Sequence, residues 1–191
     1  MTYEPGQLLR YLHDKALPEL DKILKTAPLS EWHSLDVDYT PPRVERIWIP
    51  FENHRINLHR IWPCDKALYH PHPWPSAIYV LTGKYEMAVG TKDVEASRVV
   101  LTAGSSYEMI NPEGWHYVRP LDEPSLSVML TGKPFENQVF DHGDFGKDAP
   151  LQPLSETAKM NLIYDTRQEV EKYMDLMRWR QLAQQAEAEA L

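Results

Sequence analysis

The stretch Tyr69–Gly83 reads YHPHPWPSAIYVLTG. Its first half spaces His70 and His72 two residues apart among prolines, and its second half is an apolar run that ends in glycine. In an extended chain, residues i and i+2 point to the same side, so both imidazoles can face one point. Neutral imidazole is the commonest protein ligand for divalent transition metals. The prolines favour extended geometry and remove ladder donors, which places the pair at a strand start, an edge or a bulge. Taken alone, such a pair is equally the polar content of a proline-rich loop.

A second stretch bears on the choice. Gly104–Val118 reads GSSYEMINPEGWHYV: a strand pattern, a turn signal in NPEG, and His116 near the start of the next strand. A third histidine at a strand start in another hairpin could complete a facial three-histidine site.

These two stretches lie in a region of uniform texture. From about residue 43, short runs such as RVERIWIP, INLHRIWP, AIYVLTG, YEMAVG, RVVLTAG and LSVMLTG are rich in β-branched and aromatic residues and are punctuated by Gly or Pro. This spacing predicts an antiparallel sandwich or barrel. In INLHRIW, alternation puts Ile56, Leu58, Arg60 and Trp62 on one face and Asn57, His59 and Ile61 on the other, without deciding which is inside. Before the region, leucines 8, 9, 12, 17, 20 and 24 recur at helical steps, with Pro18 expected to break or kink the helix. After it, a loop over DHGDFGKDAPLQPLSE leads into one or two helices with a stripe of Val170, Tyr173, Met174 and Met177. The expected organisation is a helical extension over 1–42, a β-barrel over 43–140, and a C-terminal loop and helix over 141–191.

The two histidine stretches resemble the paired motifs of the cupin superfamily. The first cupin motif carries two histidines one residue apart, then a glutamate and a strand ending in glycine. The second is a glycine-led strand, a proline-glycine turn and a histidine. The resemblance implies a mainly β fold, a cupin jelly-roll barrel (a double-stranded β-helix), with His70, His72 and His116 as metal ligands. Two departures stand out. Ser76 and Ala77 occupy the place of the glutamate, and the second turn is one residue shorter than usual, with only Trp115 between Gly114 and His116.

Loss of the glutamate has two readings. Three histidines alone would leave about three positions open on an octahedral ion, which resembles the cupin dioxygenases that use Fe(II). Alternatively the site is lost or filled by His59, Glu86 or Glu108. Restoring a carboxylate at Ala77 is expected to add a fourth ligand. The resemblance thus implies a non-haem Fe(II) dioxygenase acting on a small organic substrate. The alternatives are a redox-neutral isomerase, lyase or decarboxylase using Ni, Mn or Zn, with Tyr79, Glu86 or Glu108 as acid or base, and a non-catalytic small-molecule binder. Tyr79 and Arg60 are the candidate catalytic residues, Arg60 as partner for a substrate carboxylate. Trp115 could line the pocket, and Arg119 is a further cation for an acidic substrate.

Bulk properties narrow the partners. With 28 acids against 20 bases, the formal charge of −8 argues against a phosphate-backbone binder, so no nucleic acid is expected. Membrane association is not expected either, since no apolar run approaches the roughly 20 residues that span a bilayer. The single cysteine, Cys64, permits no internal disulfide and fits a cytoplasmic setting. Exposed sheet edges and the methionine-bearing C-terminal stripe predict a homodimer.

Overall fold

The computed structural model describes residues 3–136 and 151–189 of the 191-residue chain. Its centre is two facing antiparallel sheets. The first contains β1 (His33–Val37), β2 (Val44–Phe51), β3 (His54–Ile61), β5 (Ser76–Thr82), β8 (Ser106–Met109) and β10 (Ser125–Thr131), in the order β1-β2-β3-β10-β5-β8. The second contains β4 (His70–Pro71), β6 (Lys84–Thr91), β7 (Val94–Thr102) and β9 (Trp115–Pro120), in the order β4-β9-β6-β7. No helix interrupts the chain between Ile78 and Met129. At the β5–β6 corner Gly83 has φ 77°, and a Cβ there would lie 3.0 Å from Ser125 Cα, so the turn requires glycine on both counts.

Helices cover the outer face of the six-stranded sheet. Short α1 (Gln7–Tyr11) and α2 (Leu17–Thr26) flank a π-helical turn over Leu12–Ala16. Pro18 therefore does not break the segment. It stands in the first turn of α2, just after the wider π turn, where a missing donor is tolerated. Leu8, Leu12, Leu17 and Leu20 are fully buried and meet Ile47, Ile56, Leu58 and Leu130 from the sheet. Burial of each such side chain is worth roughly 2 kcal/mol. The long α3 (Glu156–Glu189) adds Leu162, Val170 and Tyr173 to this layer and is one helix rather than two. Its last turns run clear of the body, with Leu176, Met177, Trp179 and Leu182 exposed. None of the described helices is long and apolar enough to cross a membrane.

The sheet is thus buried on both faces, which explains why β10 reads as a continuous apolar run and is buried at every position. Leu126, Val128 and Leu130 meet the helices. Inside the barrel, Ile61, Val80, Tyr85, Met87 and Val118 form a second, smaller core. One difference from the sequence reading concerns a boundary. Strand β1 precedes residue 43, because HSLDV lacks the β-branched alternation that marks the other strands. The expected loop after 140, with His142, lies for the most part outside the described residues.

Candidate metal centre

The prolines set the local geometry. Pro71, Pro73 and Pro75 remove three ladder donors, so β4 is only two residues long and the chain leaves the sheet directly after it. His70 pairs in register with His116 of β9, which sets the two side chains beside each other. The register absorbs the shortened turn before His116. His72, two residues on, returns to the same side. The ring centroids of His70 and His72 are 5.5 Å apart, those of His70 and His116 4.9 Å, and those of His72 and His116 4.4 Å. One ligand nitrogen from each of the three lies within 4.8 Å of the others.

Outer hydrogen bonds choose the tautomers. His70 Nδ1 lies 2.9 Å from the Leu68 carbonyl, which can only accept, so Nδ1 carries the proton and Nε2 keeps its lone pair. His72 Nδ1 is held 2.9 Å from Ser76 Oγ. The Nε2 atoms of His72 and His116 face each other at 2.8 Å. Two ring lone pairs are held at that distance only by a shared proton or a cation between them. Two imidazoles at right angles on one ion, each about 2.1 Å from it, would be about 3 Å apart. Burial pushes the pKa of His72 well below its ordinary value, with the fields of His70, Arg46 and His59 adding to the effect. Burial does the same to His116, helped by His72 and His70. Both rings are therefore neutral at pH 7, the form that binds metal. The donor set fits a divalent transition metal.

Ser76, at the place of the cupin glutamate, turns inward and steadies a ligand candidate instead of supplying one. Ala77 is fully buried in the helix-facing core, so a carboxylate there would not reach the histidines; this corrects the expectation of a fourth ligand at that position. Of the three replacements considered, only His59 faces the barrel interior. Glu86 points outward, accepting from Tyr117 and Arg119. Glu108 accepts from the Gly6 and Leu9 amides and tethers the start of α1.

The two residues singled out for catalysis lie on the other side of the sheet. Arg60 donates to Glu45 at 2.7 Å and pairs with Asp165 of α3. Tyr79 packs against His13 and Tyr173, with ring centroids 5.4 and 5.0 Å away. Strand parity decides both: Arg60 is one step from inward His59, and Tyr79 one step from inward Val80. Trp115 and Arg119 also face outward. They lie on β9 just before the inward His116 and just after the inward Val118, and Arg119 borders an external groove of about 520 Å³ with Glu86, Arg98 and Tyr117. The groove does not include the histidines. Cys64 is half-buried, and burial raises its thiol pKa. Sequence reasoning missed Arg46. Its strand, RVERIWIP, carries Ile47 and Ile49 on one face, and nothing in the pattern marks the Arg46 face as inward.

No family model and no curated protein matches the chain. Several solved structures resemble it. Hydroxypropylphosphonic acid epoxidase from S. wedmorenis is 16% identical with a TM-score of 0.45, over 55% of this chain and 56% of that one. KdgF from Halomonas sp. is 16% identical with a TM-score of 0.42, over 52% of this chain and 87% of that one. A variant of oxalate decarboxylase from Bacillus subtilis is 14% identical with a TM-score of 0.46, over 59% of this chain and 30% of that one. The chain thus spans about half the length of the epoxidase it resembles. The two facing antiparallel sheets, with both histidine motifs brought together at one end of the second sheet, make a mainly β, cupin-like jelly-roll barrel, the fold that the two motifs lead one to expect.

Proposed function

We propose that the protein is a metal-dependent enzyme, a non-haem Fe(II) dioxygenase acting on a small organic substrate, with His70, His72 and His116 as the metal ligands. The observation that carries this reading is a convergent set of three imidazoles that, among the described residues, includes no carboxylate. Three neutral ligands leave the full charge of the ion and about three coordination positions for substrate and oxidant. A bound ferrous ion would supply Lewis acidity and one-electron chemistry that no side chain offers. The chain's own groups orient His70 and His72, through Leu68 and Ser76, and burial keeps the rings of His72 and His116 neutral.

A redox-neutral reaction would need an acid or base beside the metal, and Tyr79, Glu86 and Glu108 all lie away from the histidines. That difference favours the oxidative reading. Metal analysis after purification without chelators tests it, together with an oxygen-electrode screen of small organic substrates. Iron near one per chain with substrate-dependent oxygen uptake supports the reading. Nickel, zinc or manganese without oxygen uptake supports the redox-neutral one, and a metal-free protein supports a binding role.

A homodimer in the cytoplasm belongs to the same proposal. Strand β7 is a sheet edge with Val94, Val99 and Val100 exposed. A light-scattering mass of a single 22.2 kDa chain would contradict the dimer.

A further inference from the structure

On the inner face of the six-stranded sheet, Arg46 of β2 stands opposite His59 of β3, and His59 stands opposite Ser127 of β10. The three side chains therefore lie side by side, facing the barrel interior. Among the described residues no carboxylate pairs with Arg46, and its Nε is sealed from solvent without a hydrogen-bond partner. The rest of the residue keeps partial access, so a ligand can reach it. His59 is buried, and its Nε2 is likewise sealed and without a partner. Burial lowers the pKa of Arg46 to about 10, helped by the like charge of Arg55, whose guanidinium lies 5.0 Å from the Trp74 ring centroid, and opposed by Tyr39.

A guanidinium partly withdrawn from water with no counter-ion beside it among the described residues is costly. This one is also close enough to His72 for its field to act on that ring. A cation bound at the three histidines would add a second positive charge to the same interior. Two such charges are stable together only with an anion between them. We infer that Arg46 and His59 form an oxyanion-holding subsite, and that the substrate is a small organic acid whose anionic group lies between Arg46 and the three-histidine centre. The guanidinium fork matches a carboxylate or phosphonate edge, and neutral His59 donates through Nε2 in the tautomer that protonates that atom. The inference rests on the metal-enzyme reading for its geometry, but the subsite itself belongs to the protein.

The test is calorimetric titration of metal-free and Zn(II)-loaded protein, in low chloride, with acetate, methylphosphonate and neutral acetamide. Saturable binding of an anion, with none of acetamide, is expected in both forms and stronger with Zn(II); the order of acetate and methylphosphonate identifies the oxyanion. Arg46→Gln should weaken anion binding at least tenfold while Zn(II) uptake is kept or tightened, and Arg46→Lys should recover part of the loss. Without anion, the Tm of Arg46→Gln should rise by a few degrees, since the variant removes an unpaired buried charge. Loss of a structural ion pair would lower it. Equal anion affinity in wild type and Arg46→Gln, no anion binding to wild type, or a fall in Tm would overturn the inference. If Arg46→Gln does not fold, the subsite is wrong as a stability argument, and His59→Gln then decides the binding argument by the same tenfold criterion. Anion binding without Zn(II) uptake would refute the metal-enzyme reading and leave the subsite standing; Zn(II) uptake with Arg46-independent anion binding would do the reverse.

Discussion

Two arginines of one ladder have opposite fates. Glu45 faces Arg60 across β2 and β3, and one step along the same ladder Arg46 faces His59. The first pair points to the helices, where Arg60 lies between Glu45 and Asp165. The second points into the barrel, where Arg46 has no acid beside it among the described residues. On the helix side the buried Glu45 and Arg60 answer each other within the chain, as expected where the task is to hold a layer together. On the barrel side burial keeps His72 and His116 neutral, and the Arg46 guanidinium has no acid beside it among the described residues. A buried cation left without a counter-charge beside the histidines is the mark of a surface completed by ligands.

The sharpest way to break this contrast is to remove a ligand candidate. His116→Ala should lower Zn(II) affinity by about a thousandfold, or about 4 kcal/mol, while circular dichroism of the barrel is unchanged. Next comes the helix side. Arg60→Met leaves Glu45 buried without its main partner and should cost about 3 kcal/mol in urea unfolding, and a Glu45→Met change in the same chain should recover most of it.

The barrel side should also respond to acid. His59, His72 and His116 have pKa values well below the ordinary 6.5, each mainly through burial. The unfolded chain then binds protons that the folded chain refuses. Stability is fully present above pH 6.5 and falls as the pH drops through 6.5 towards the folded values. The metal-free protein should lose at least about 2 kcal/mol between pH 7 and pH 5, and a flat profile in that window would show that the rings are not buried neutral. Arg46→Met should have the opposite sign to Arg60→Met, with a gain of about 1–2 kcal/mol. The smallest effect belongs to Ser76→Ala, which frees His72 Nδ1 and should weaken Zn(II) binding about tenfold with little change in Tm.

Much of this was legible in the sequence. The apolar runs from 44 to 131 match the strands because β-branched residues and turn signals alternate cleanly there, and the histidine spacing carries the cluster because parity fixes direction over two residues. Parity fails where both faces of a sheet are buried. Arg60 and His59, Ala77 and Ser76, and Tyr79 and Val80 are neighbours of which only one can face the histidines, and the apolar pattern does not separate the helix side from the barrel side. Arg46 stayed hidden for the same reason. The π turn before Pro18 was not visible either, since helical periodicity is little altered by one wide turn.

Anaerobic titration of the chelator-treated protein with Fe(II), read by calorimetry for wild type and His116→Ala side by side, tests the central claim most directly. The three-histidine account predicts one ion bound per wild-type chain and loss of that binding in the variant. Equal Fe(II) uptake by both proteins, or none by the wild type, would contradict it.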